Sequence, residues 1–546
     1  MYPVLRPIKP EILEWFSSRK LRTFEWMKEL PEEELDKQIS QLVPTPSFVL
    51  PLFKEQKIMF LLGALESNFI FWASPGVGKT AISLNLINYR YDKNKPALVL
   101  VPDLANIENW MTECKIFVPH LKCIPLVGTK QQRIKSLQKN GDIYIVNYDG
   151  ISSILNSSID RSISINPGEV ANFAKMFNTI IYDEMIEVKN TKSISFQVCK
   201  VLSKYIPYRY GLTGRPFGRA ALDLWAQFYV IDGGETLGNN LEIFKQSFFT
   251  PKITPFTINW VPNDEKLETF HKVLQNKAIY FPPVPLPAPI CTTIEIELSD
   301  EAKIYYRKLK GSLISDLKED AWKAKIKNPF VKFRQICSGY LLVDDTEIDE
   351  DTGEEYKIST DEISFDNPKE QIIEKLIAML PAGRKMIIFY AFTPSGKRIT
   401  NKLISMKVPH TWLWGKAKNK DEILNKFKND PKCRIMVTNL KSGSMGLNLQ
   451  VANYEVWYEN ADNAMTRVQG EARTWRRGQT EQVYIYDIRV KNSVEKKIHE
   501  FVEEGRILFQ HLVEGKLSDK EKKKLEASFI TKFKTKKAIL EAIGNV

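Results

Sequence analysis

The sequence predicts an α/β protein built of two blocks. Each block is a mostly parallel sheet flanked by helices, with helical insertions and a helical C-terminal extension. Three observations predict this. Short apolar runs alternate with amphipathic helical stretches from about residue 46 to 235, and the alternation resumes from 366 to 500. A glycine-rich turn joins the apolar run Phe69–Ala73 to a helical run, the strand-to-helix junction that a parallel sheet requires. The length, 546 residues, exceeds what one core holds and implies several domains.

Residues 1–45 read as short helices separated by prolines, an N-terminal extension. The first block, 46–235, has strand candidates at Phe69–Ala73, Ala97–Val101, Ile143–Val146, Thr179–Tyr182 and Tyr208–Leu212. Residues 236–345 break that rhythm. They form a connection containing the proline-rich FPPVPLPAPI and then a helical stretch from Asp300 to about Tyr340. Residues 346–365 lie in a strongly acidic, turn-prone stretch, a solvated hairpin or loop. The second block, 366–500, has strand candidates at Lys385–Tyr390, Thr411–Trp414, Arg434–Thr438, Glu455–Tyr458 and Gln482–Asp487. Residues 501–546 are lysine-rich with helical periodicity.

Bulk composition narrows the class. Hydrophobic content of 43% and charged content of 26% suit a soluble globular protein, and a net charge of +12 suits a polyanionic partner. No apolar run is long enough to span a bilayer, so no membrane role is expected. The six cysteines are scattered and form no C-x-x-C pair, so neither a zinc site nor a disulfide framework is expected; a cytoplasmic location is expected, nucleoid-associated in a bacterium or phage-infected cell and nuclear in a eukaryote.

The chemistry concentrates in Ser74-Pro75-Gly76-Val77-Gly78-Lys79-Thr80, which reads as a phosphate-binding loop. Small residues let backbone N–H groups of Gly76 to Ala81 curl around phosphate oxygens at a helix N-terminus, with Pro75 shaping the turn. Lys79 supplies a cation for the β- and γ-phosphates and Thr80 a hydroxyl for Mg²⁺. Ala73 stands where the motif's first glycine is usual. Further on, the apolar run Thr179–Tyr182 ends in Asp183-Glu184, which suits a metal-holding carboxylate followed by a water-polarising one. Arg473 and Arg476 are three apart, on one face of an expected helix. From there they would reach across a cleft between the blocks to the γ-phosphate. Trp412, Trp414, Trp457 and Trp475 read as core or interface residues rather than base-stacking ones.

From about residue 50 to 500 the chain resembles superfamily-two helicase-type motors, specifically the Swi/Snf-like DNA translocases. The resemblance is carried by LPLFKEQKIMF, SPGVGKT, LVPDLANIENWMTEC, IVNYDGI, DEMIEVKN, LTGRPF, FRQICSGYL, KMIIFYAFT, TNLKSGSMGLNL and QGEARTWRRGQT. It implies two RecA-like lobes, ATP and Mg²⁺ as cofactors, and catalytic roles for Lys79, Asp183, Glu184, Gln469, Arg473 and Arg476. Gln56 would read the adenine edge, and Gly446 would touch ATP. Pro102, Asn109-Trp110, Asn147, Thr213, Arg215, Thr393, Lys441 and Ser442 would lie on the DNA side. The implied activity is ATP-dependent, sequence-nonspecific translocation of a monomer along double-stranded DNA, forked or branched forms included, in replication, recombination or repair. A strand-separating, branch-migrating or annealing helicase remains open, as does a non-hydrolysing DNA-binding scaffold. The chain departs from the family pattern at Met185-Ile186, where Ala-His is usual, at Arg215, at Phe53 and Glu55 beside Gln56, and at Ser444.

Overall fold

The computed structural model describes residues 23–43, 48–159, 162–214, 221–254, 257–282, 286–316, 327–348, 355–414, 419–440, 449–461, 464–476 and 478–500. The chain divides near residue 284 into two compact units, each with its own sheet.

In the first unit the sheet strands are β1 (Asn68–Ala73), β2 (Ala97–Val101), β3 (Cys123–Pro125), β4 (Ile143–Asn147), β5 (Thr179–Asp183), β6 (Tyr208–Thr213) and β7 (Ala278–Phe281). Their order is β7-β1-β6-β5-β2-β4-β3, and every pairing is parallel. β1, β2, β4, β5 and β7 are buried along their whole length. Helices on both faces cause this, and it explains why these strands read as unbroken apolar runs rather than alternating ones. Trp110, Phe60, Phe69, Phe71 and Tyr210 fill the core. Because all strands run one way, Ala73, Val101, Asn147, Asp183 and Thr213 emerge on one edge, where open parallel sheets bind ligands.

Residues 23–43 are part of this unit. Met27, Leu35 and Ile39 join its core, and Lys57 reaches Glu32 at 3.0 Å and Asp36 at 2.8 Å on the helix Glu32–Leu42. Two antiparallel hairpins, Asn156–Ile159 with Ser162–Ile165 and Phe249–Thr254 with Thr257–Pro262, complete it.

The second unit contains β8 (Ile290–Ile296), β9 (Met386–Tyr390), β10 (His410–Leu413), β11 (Ile435–Asn439), β12 (Tyr454–Trp457) and β13 (Tyr484–Val490). The order is β8-β13-β12-β9-β11-β10, again parallel throughout. Phe389 and Trp457 stack at its centre with ring centroids 4.5 Å apart. Among the described residues, the helical stretch expected from Asp300 includes the helices Asp300–Asp316 and Lys327–Cys337. The acidic stretch is an antiparallel hairpin, Tyr340–Ile348 with Glu355–Ser364.

All ten expected strands are present, most shifted by no more than one residue. The region 236–345, expected as a connection, instead supplies edge strands to both sheets: β7 to the first and β8 to the second. Among the described residues no helix is long and apolar enough to cross a membrane.

Candidate nucleotide site

The loop after β1 is shaped by backbone geometry that only glycine tolerates. Gly76 has φ +89° and Gly78 φ +97°. A Cβ on Gly78 would also stand 2.0 Å from Gln56 Nε2. The helix Lys79–Tyr89 begins at once, so its unsatisfied N–H groups and positive dipole end point at the loop. β7 pins the loop's start: Ser74 N–H donates to Phe281 O at 3.0 Å. Lys79 Nζ donates to Ala73 O at 2.7 Å and so spans the loop's base. Thr80 is half-buried and Ala81 buried in the first helical turn.

Gln56 is buried and holds this loop from behind. Its Nε2–H donates to Val77 O at 3.1 Å, and its Oε1 accepts from Phe53 N–H at 2.9 Å. The adenine role expected of it rests on the resemblance alone.

Asp183, at the end of β5, is held on three sides. Trp110 Nε1–H donates to its Oδ2 at 2.8 Å, Glu184 N–H to its Oδ1 at 3.1 Å, and Tyr148 O–H to its backbone carbonyl at 3.0 Å. Burial pushes its carboxyl up to about 6, and the neighbouring Glu184 charge adds to that; the Trp110 hydrogen bond and the Lys79 charge pull it back. Glu184 sits in the left-handed region at φ +47°, rare for a residue with a side chain. Its Oε2 accepts from Thr213 Oγ1–H at 3.2 Å. Met185, in place of the family's alanine, is accommodated by Gly211, where a Cβ would lie 2.2 Å from Met185 Sδ.

A Mg²⁺ ion fits these residues. A half-buried hydroxyl at Thr80 and a buried carboxylate at Asp183 are hard oxygen donors of the kind Mg²⁺ prefers.

The residues expected on the DNA side occupy varied positions. Thr213 is 0% exposed and gives its hydroxyl to Glu184. Trp110 is 1% exposed and turns inward to Asp183. Asn147 closes β4 at 7% exposure. Pro102 and Asn109 are half-buried, just after β2 and on the helix Leu104–Phe117. Thr393 is exposed at the first position of the helix Thr393–Ser405. There the buried Glu459 already accepts from Ala391 N–H at 2.6 Å, Phe392 N–H at 3.0 Å and the Ser395 hydroxyl. Arg215, Lys441, Ser442, Ser444 and Gly446 lie outside the described residues.

In the second unit the helix carrying Gln469, Ala464–Glu471, stops before both arginines. Arg473 and Arg476 therefore lie on a turn beyond it, not on one helical face. Tertiary contacts override the helical spacing. Thr474 donates its hydroxyl to the buried Glu455, and Gln479 Nε2 lies 3.1 Å from the carbonyls of Gln450, Ala452 and Thr474. Glu455 also accepts from Trp457 Nε1–H at 3.0 Å, and burial pushes its carboxyl up to about 8. Arg467 braces the helix, pairing with Asp487 and with Glu471 at 2.5 Å while lying 4.1 Å over the Trp457 ring. Trp457 is core, Trp412 and Trp414 stack at 5.6 Å, and Trp475 donates to Pro287 O at 2.9 Å.

Residues 11–340 match the SNF2-related domain family, and residues 368–478 match the helicase conserved C-terminal domain. An uncharacterized ATP-dependent helicase of Mycoplasma genitalium is 28% identical over 447 residues, 78% of this chain and 38% of that protein. A CHD3-type chromatin-remodeling factor of Arabidopsis thaliana is 24% identical over 512 residues, 90% of this chain and 40% of that protein. The chain thus spans about two fifths of the length of these relatives. Among solved structures, a Sulfolobus solfataricus SWI2/SNF2 ATPase core in complex with dsDNA aligns with 91% of this chain and 98% of its own. Its sequence identity is 21% and its TM-score 0.37.

Proposed function

This chain belongs to the SNF2-related family, and on that premise we propose that it is an ATP-hydrolysing, sequence-nonspecific translocase on double-stranded DNA. Its setting would be replication, recombination or repair, and it would act as a monomer. The observation that carries the reading is the single strand-end edge bearing Lys79, Asp183, Glu184 and Thr213, with Thr213 hydrogen-bonded to Glu184.

Each residue has a task that follows from its position. The loop N–H groups and Lys79 receive the phosphates, Lys79 exchanging its Ala73 carbonyl for phosphate oxygens. Held by Thr80 and Asp183, Mg²⁺ would supply charge neutralisation for the transferring phosphoryl group. Glu184 orients the attacking water, and the Thr213 hydroxyl fixes the direction of that carboxylate. Arg473 and Arg476, with Gln469 beside them, are the proposed partners of the γ-phosphate. The net charge of +12 supports a phosphate-backbone grip without base readout.

Triplex displacement tests translocation. The protein should release a third strand from duplex DNA with ATP, and Glu184→Gln should not. Displacement only from forked or junction substrates would move the reading to a helicase or branch-migration motor.

A further inference from the structure

We propose that Trp110 is a positioning residue for Asp183, so that the helix Leu104–Phe117 helps set the site's affinity for the divalent metal. The proposal rests on the nucleotide reading given above.

An indole has one polar atom, a donor, and no acceptor. Trp110 lies in the first unit's core, and it spends that donor on Asp183 Oδ2 at 2.8 Å. The carboxylate's other oxygen takes the Glu184 N–H at 3.1 Å, and the residue's carbonyl takes the Tyr148 hydroxyl at 3.0 Å. Both carboxylate oxygens and the backbone are therefore held, each from a different segment: the helix Leu104–Phe117, the residue after β5 and the residue after β4. A carboxylate so held presents its remaining lone pairs in one direction. To turn, it would have to strand a buried indole N–H in an apolar core. A metal with few protein ligands depends on such outer partners, whose removal typically costs ten- to a hundredfold in metal affinity or activity. A tryptophan serving only as core filling would change stability on truncation and leave metal dependence alone.

The test uses the full chain and two readouts. Mn²⁺ binding in the presence of ADP, followed by electron paramagnetic resonance, should weaken about tenfold in Trp110→Phe. Half-saturating Mg²⁺ for ATP hydrolysis should rise in parallel, with the ATP KM at saturating metal within about twofold. A folded Trp110→Phe with unchanged metal affinity would overturn the proposal. Should that variant not fold, wild-type protein labelled with 5-fluorotryptophan at position 110 alone decides. Its ¹⁹F resonance should shift with Mg²⁺ and ADP but not with metal-free ADP, and no metal-dependent shift would overturn the proposal. Wild-type protein that binds no nucleotide at all would instead sink the nucleotide reading, and this proposal with it.

Discussion

The two units hold their reactive side chains by different means. In the first, backbone conformation does most of the work. Two left-handed glycines shape the loop, left-handed Glu184 turns away from its strand, and parallel strand ends bring Lys79 and Asp183 to one edge. In the second, the arginine turn has left its helix and is held by buried polar side chains: Glu455 with Thr474, Gln479 on three carbonyls, and Arg467 with Asp487. A backbone-built site is vulnerable where a Cβ is added. A side-chain-built site is vulnerable to loss of one hydrogen-bonding group and to pH, a vulnerability that Asp183, held by Trp110 and raised by burial, shares.

The sharpest way to break this contrast is Gly78→Ala. The added methyl needs φ +97° and the place of Gln56 Nε2, so ATP binding should fall at least about tenfold, measured by equilibrium titration. Unchanged affinity would show that the loop adapts and that backbone shape is not what holds it. Next is Thr474→Val, which leaves Glu455 short of a donor. It should cost about 1–3 kcal/mol in stability and lower turnover, while ATP affinity in the first unit stays put. A variant with native turnover would detach the arginine turn from the buried network. The third test is pH dependence. Burial raises Glu455 from its ordinary 4.5 to about 8, so the folded chain keeps a proton that the unfolded chain releases. Stability from this group is complete below pH 4.5 and is lost as pH rises through about 8. Thermal melts of Glu455→Gln should show a flatter decline across that window, and an identical slope would assign the titration to another group.

The same contrast explains what was legible in the sequence. The central strands were visible because burial on both faces makes them continuous apolar runs. The phosphate loop and the Asp183-Glu184 strand end were visible because backbone-built chemistry leaves glycines and carboxylates at fixed spacings. The side-chain-built features were not. Arg473 and Arg476 have helical spacing, but the turn they sit on is fixed by Thr474 on the sequence-distant Glu455 and by Gln479 on the carbonyls of Gln450 and Ala452. β8 escaped notice because, as an edge strand with most of its residues exposed, it lacks an apolar run. β7 is apolar but only four residues long, next to a proline-rich stretch. Trp110 carried a readable signal: Ile107, Trp110 and Cys114 form an apolar stripe at helical spacing that turns the indole inward. Its hydrogen bond to Asp183, 73 residues away, had no sequence signature.

Steady-state ATP hydrolysis tests the central claim most directly, measured with no nucleic acid, single-stranded DNA, blunt duplex DNA and RNA, with Glu184→Gln as the blank. The account predicts strong stimulation by blunt duplex, steeply weakened by salt, and no turnover in the blank. Absence of turnover under every condition, or full turnover in Glu184→Gln, would contradict it.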